Sequence, residues 1–310
     1  MKHAGAVELA KRLAFEWADA VCENFAPKAM RGFGMDYDTL AAARPDIVMV
    51  SACLQGQTGP HRDYPGFGGQ GAALSGFNFL TGWPDREPLG PFGTITDSLA
   101  PRFVATALAA GLLYRRRTGR GAYLDLSQVE AAAWSLSPWL LDYEVNGNVR
   151  MRDGNRSDRA VLHGAFPCAG ADRWVAIAAW SQDEYERLAK IAGIEAPMAP
   201  EETLVEWTSS RTPLDVAETL QAAGIEAVPV QDFGDVFGDP QLAHRGHFVP
   251  LVHPFLGDGA YERNGFRTAT PAGYGRPGPT LGQDNDHVLR VILGLTDVEI
   301  DALAAEGALD

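Results

Sequence analysis

The stretch "DIVMVSACLQGQTGPHRDYPGFGGQGAALSG", residues 46 to 76, decides the fold class. Its first seven residues form a short, continuous and mainly apolar run rich in β-branched side chains. That is the pattern of a strand buried on both faces. A glycine-dense loop follows, in which backbone can approach another group closely.

The neighbouring segments alternate in type. Residues 6 to 21 place Val7, Leu9, Leu13, Trp17 and Val21 on or near one face and predict an amphipathic helix. "PRFVATALAAGLLY" (101 to 114) is apolar on nearly all faces, which predicts a helix largely buried against a sheet, ended by three arginines and Gly119. "AYLDLS" reads as a strand, and "SQVE" (127 to 130) opens the next helix with a capping box. A polar, charged segment, "RMRDGNRSDRA" (150 to 160), marks a boundary. Beyond it "RWVAIAAW" reads as a strand and "SQDEYERLAKIAG" as a capped helix. "IEAVPVQD" reads as a strand that Pro229 confines to a sheet edge. A Pro- and Gly-rich passage fills 250 to 282, and "TDVEIDALAAEG" is a capped terminal helix. The fold class is therefore α/β: a large domain begins over 1–149, a smaller one occupies 150–238, and 239–310 returns to the large one.

Composition narrows the function. Forty acidic against 26 basic residues give a formal charge of −14, which disfavours a nucleic-acid surface. The three cysteines, Cys22, Cys53 and Cys168, lack metal or disulfide spacing, so ordinary buried thiols in a reducing cytoplasm are expected. No apolar run approaches the roughly 20 residues that span a bilayer.

One carboxylate stands out. In "GPFGTITDSLAPRF" (90 to 103), Asp97 has no acidic neighbour within nine positions on either side. Thr96, Asp97 and Ser98 all suit a helix N-cap, with Pro101 in the first turn. The same geometry suits a nucleophile. The positive end of a helix favours an ionised carboxylate, and Gly90 and Gly93 allow backbone N–H groups near a developing oxyanion. Composition and spacing leave both readings open.

Several stretches together resemble the family III CoA-transferases of the CaiB/BaiF superfamily, the group that includes formyl-CoA transferase and carnitine CoA-transferase. The match is carried by "ADAVCENFAPKAMRGFGMDYDTL", by the stretch quoted first, and by "TDSLAPRFVATALAAGLLYRRRTGRGAYLDLSQVEAA". "GNRSDRAVLHGAFPCAGADRWVAIA", "GDPQLAHRGHF" and "LGQDNDHVLRVILGL" complete it, in order along the chain. The resemblance implies a Rossmann-like large domain, a smaller α+β domain and an interlocked dimer. It also implies that Asp97 is the catalytic aspartate, carrying CoA between two carboxylic acids through anhydride and aspartyl-CoA thioester intermediates. An acyl-CoA is then the substrate, and neither a metal nor a permanently bound cofactor is needed.

Around Asp97, Arg62 and Arg102 are candidates for phosphate or carboxylate contacts. Phe67 either lines a CoA channel or is a core aromatic. Gly68, Gln70 and Gly93 are candidates for close contact with CoA. His163, in "VLHGAFPC", either orients substrate or is structural. "RRRTGR" reads as a solvated helix end, and His244, His247 and His253 as loop formers. The α-methylacyl-CoA racemases, similar in fold, use a histidine where Phe67 and Gly68 stand here; phenylalanine cannot act as a base, which disfavours that alternative. Family members normally begin with a strand-loop-helix unit that has no counterpart ahead of "ADAVCENF". The expectation is an association with a second copy or a related subunit, which covers the open sheet edge. A non-catalytic subunit of a hetero-oligomer is the other alternative.

Overall fold

Residues 48 to 53 form the central strand of a three-stranded parallel sheet, with the order β1 (Ala20–Glu23), β2 (Val48–Cys53), β3 (Ala122–Ser127). Every residue of β2 is buried. The computed structural model describes residues 3–91, 94–194, 201–269 and 275–309. The chain divides into two units, one of Met1–Gly154 with Gln283–Asp310, the other of Asn155–Gly282. Residues 239–282, assigned above to the return segment, thus group with the second unit.

In the first unit, the expected helix over 6 to 21 is cut short. A helix over Ala4–Arg12 passes into a wider π turn over Leu13–Trp17, and Ala20–Glu23 is strand instead. Four residues are too few to show a period of their own; pairing of Ala20 with Val48 and of Cys22 with Val50 imposes the extended state. Cys22 is exposed there, against expectation, whereas Cys53 and Cys168 are buried.

The long helix runs from Ile95 to Thr118 and stops at Gly119, whose φ of 72° only glycine adopts easily. It rests on β2 and β3 through Gly111, where a methyl group would stand 2.8 Å from Val48 Cγ1. Only Thr96, Ala100 and Gly111 are buried along it, so the expectation of a largely buried helix is corrected. A three-stranded sheet covers a single stripe of a helix, and the other apolar faces turn outward. Its last turn is also not wholly solvated. Arg115 pairs with Asp46, just before β2, and with Asp19 at 2.7 Å, tying the helix end to the start of the sheet.

The second unit holds an antiparallel sheet, β4 (Leu162–Pro167), β5 (Trp174–Ala179), β6 (Glu226–Val230), with β5 central. Pro229 lies on the edge strand β6, opposite Val175, where a residue without an N–H is tolerated. Phe166, Val175 and Ile177 meet Leu188, Val216 and Leu220 from helices Gln182–Ala192 and Pro213–Ala222 in a core on one face. Part of the Pro- and Gly-rich passage forms a hairpin, β7 (Phe248–His253) and β8 (Gly257–Glu262). His253 Nδ1 accepts from the N–H groups of Phe255 and Leu256, both at 3.1 Å, which shapes the turn. No helix among the described residues is long and apolar enough to cross a membrane.

Candidate active site

Asp97 lies in the first turn of the long helix, not at its N-cap. The helix begins at Ile95, after Thr94, and the Asp97 N–H donates to the Thr94 carbonyl at 2.9 Å. Pro101 consequently sits in the second turn, inside the helix. With no N–H, it cannot make the usual bond to the carbonyl four residues back, which belongs to Asp97. The Asp97 side chain is exposed, and among the described residues no donor or cation reaches its carboxylate. The cap reading of Asp97 is therefore not what the structure shows.

The carboxylate rests on a short helix, Gly68–Leu74, that the sequence reading left as loop. A methyl group on Gly68 would stand 2.3 Å from Asp97 Oδ2 and 2.6 Å from Cγ, so any side chain there would displace the carboxylate from its present place. Gln70 closes the start of this helix: its Oε1 accepts from the Phe67 N–H at 2.9 Å. Phe67 itself is 83% exposed, which corrects the core-aromatic reading and leaves its ring open beside the carboxylate's glycine. Beneath them Thr96 is fully buried and its hydroxyl donates to the Gly68 carbonyl at 3.0 Å. Gly71 makes room for it, since a methyl group there would stand 2.8 Å from Thr96 Oγ1 and 2.9 Å from Leu54 Cδ1.

A cleft of about 340 Å³ opens on the face of the parallel sheet that carries Met49, Ser51 and Tyr123, opposite the face on which the long helix rests through Val48 and Leu124. Glu23, Ser51 and Tyr123 come from the strands, Gln57 and Arg62 from the loop after β2, and Lys28 and Arg31 from the segment after β1. The loop stays on the sheet because Asp125 accepts from the Gln57 N–H at 2.9 Å. It then leads past Leu54 and Gly66, which touch, into the glycine helix. Arg62 is partly neutralised by Asp63 at 3.5 Å. Lys28 and Arg31 are exposed, and among the described residues neither has an acidic partner. Burial pushes the Tyr123 hydroxyl up from its ordinary range.

The structure thus gathers Asp97, Phe67, Gly68 and Gln70, and puts Arg62 in the separate cleft on the other face of the sheet. Arg102 follows on Asp97's own helix, its guanidinium turned to the Ser98 carbonyl. His163 belongs to β4 of the second unit, with Nδ1 against the Asn155 carbonyl and its ring 5.9 Å from that of Trp180. Gly93 lies outside the described residues. Sequence reasoning missed Thr96, Gly71, Lys28 and Arg31. The spacing Gly68-x-x-Gly71, which puts two glycines on one helical face, was the available signal for the close contact.

Residues 1–285 match the family model described as CoA-transferase family III. The chain belongs to that family. Among curated relatives, it is 29% identical to succinyl-CoA–D-citramalate CoA-transferase of Chloroflexus aurantiacus, over 96% of this chain and 78% of that protein. It is 30% identical to the alpha subunit of succinyl-CoA–L-malate CoA-transferase of Chloroflexus aurantiacus, over 92% of this chain and 71% of the relative. The beta subunit of that enzyme is 29% identical over 93% of this chain and 76% of its own length. A crystal structure of a CaiB/BaiF family protein from Brucella suis shares the fold, with a TM-score of 0.83 at 24% identity over 94% of this chain and 79% of that one. This family III chain is a CoA-transferase, and its substrates are CoA thioesters.

Proposed function

We propose that this CoA-transferase uses Asp97 as its nucleophile, moving CoA from succinyl-CoA or a similar acyl-CoA to a second carboxylic acid. The observation that carries the reading is the Asp97 carboxylate itself: exposed, without a protein partner among the described residues, and packed against a glycine whose missing side chain leaves room for it.

The chemistry follows from that freedom. An Asp97 oxygen attacks the thioester carbonyl, the C–S bond breaks, and CoA thiolate leaves behind a mixed anhydride. The thiolate attacks the aspartyl carbonyl and expels the donor acid, giving an aspartyl-CoA thioester. An acceptor carboxylate displaces CoA again, and the thiolate takes the acceptor's acyl group from the second anhydride, restoring Asp97. Each step exchanges one bond to an acyl carbon for another, with no redox change and no other reagent. Lys28, Arg31 and Arg62 line the cleft together with Glu23, Asp36, Asp38 and Asp63, and are its groups able to meet the phosphates of CoA. The relatives named above act on succinyl-CoA and on citramalate or malate, which supports a dicarboxylic acid as the class of one substrate.

The protein works with a second chain, either a copy or a related subunit, as the alpha and beta subunits of the malate enzyme suggest. Trp134, Leu141, Tyr143 and Val145 form exposed apolar surface that a partner chain would cover. The test is intact-protein mass spectrometry after incubation with succinyl-CoA. An adduct released by hydroxylamine and mapped to Asp97 is expected; turnover with Asp97→Ala intact would sink the proposal.

A further inference from the structure

We infer that Thr96 is a positioning residue, whose buried hydroxyl holds the Asp97 carboxylate in its attacking place by bonding to the Gly68 carbonyl; this rests on the reading of Asp97 as nucleophile. Thr96 and Asp97 are successive residues, and both engage Gly68. One points inward and donates to its carbonyl at 3.0 Å, while the other lies outward over its Cα. The bond from Thr96 fixes the backbone one residue before the nucleophile, directly beneath the carboxylate.

The first turn of the long helix needs such a tie. Pro101 denies the Asp97 carbonyl its usual intrahelical donor, so the turn carrying the nucleophile is joined to the helix body by one bond fewer than elsewhere. The tertiary bond from Thr96 supplies a fixed point that the helix does not. The fit around the hydroxyl is equally exclusive. Gly71 offers no Cβ, and the methyl it lacks would stand 2.8 Å from Thr96 Oγ1 and 3.0 Å from Cγ2. Thr96 is fully buried and never meets substrate, so its action passes entirely through its neighbour.

The Gly68 carbonyl belongs to the first turn of its own helix and has two lone pairs. Removing the Thr96 hydroxyl while keeping its volume therefore leaves no orphaned acceptor, and the fold survives Thr96→Val. Displacement of a reacting group by a fraction of an ångström, in contrast, slows the chemical step by about 10- to 100-fold.

The test compares wild type, Thr96→Val and Thr96→Ser in whatever assembly carries the wild-type activity, normalised to the folded fraction from circular dichroism. Steady-state kinetics with succinyl-CoA and the rate of the hydroxylamine-sensitive adduct on Asp97 are both read. The valine variant is expected to lose about 10- to 100-fold in kcat and in adduct rate, with KM for the acyl-CoA within about twofold. The serine variant, which keeps the hydroxyl, regains most of that loss. A valine variant as fast as wild type, or a serine variant as slow as valine, overturns the inference while leaving Asp97 as nucleophile. Absence of any adduct in the wild type removes the nucleophile reading and this inference with it.

Discussion

Gly68 and Asp97 are in contact across two helices, so closely that the space of one methyl group on Gly68 is already occupied by the Asp97 carboxylate. Gly68 has no left-handed torsion that would demand glycine. Its lack of a side chain serves the neighbour.

Gly68→Ala separates function from folding for that reason. Alanine favours helix over glycine by about 0.5–1 kcal/mol, and the new methyl can push an exposed carboxylate aside. Melting temperature is expected to hold or rise slightly, while kcat falls by at least about 100-fold through a displaced nucleophile. An active alanine variant would contradict the contact.

Gly71→Ala fails differently. Its methyl meets Thr96 and Leu54 side chains that have less room to turn away, and overpacking of this kind costs about 1–3 kcal/mol. Urea denaturation should show the midpoint falling, with kcat per folded molecule also reduced.

The cations of the cleft predict a selective loss. Arg31→Ala should raise KM for succinyl-CoA about tenfold, equivalent to ~1.4 kcal/mol of binding. It should leave KM for a succinyl-pantetheine thioester, which lacks the nucleotide phosphates, unchanged. Equal effects on both substrates would take Arg31 out of phosphate recognition.

Asp46 gives a pH dependence. Hydrogen bonds from Arg115, and next from Arg44, hold its carboxyl below the usual carboxylate range. A carboxyl lowered on folding stabilises the protein above its unfolded pKa and loses that contribution as pH falls through the folded one. Wild type should thus exceed Asp46→Asn by about 1 kcal/mol at pH 7, and the gap should close below about pH 4. A gap independent of pH in urea titrations would show that the pairing with Arg115 does not stabilise the fold.

Much of the architecture was legible because it rests on local rules. The apolar run Ile47–Val50 reads as the start of a doubly buried strand, and Val48–Cys53 is one. Ser127 caps the following helix by accepting from Glu130 N–H at 3.2 Å, one half of the capping box that the pattern predicts. Pro229 went to a sheet edge because it has no donor to give. The helix start at Ile95 was harder to read. Thr96, Asp97 and Ser98 each qualify as a cap by type, so nothing within that stretch distinguishes an N-cap from a first turn.

Sequence by itself determined the α/β class, the isolation of Asp97 among the chain's carboxylates and its resemblance to CoA-transferase family III. Each of these is written in residue type and order along one segment. Tertiary structure alone decided that Asp97 has no partner among the described residues, that Gly68 makes room for it, and that Thr96 lies locked beneath it. Those facts depend on two helices meeting whose residues stand almost thirty positions apart. Contact at that separation is set by how both pack around Leu54 and the end of β2, which no local pattern encodes.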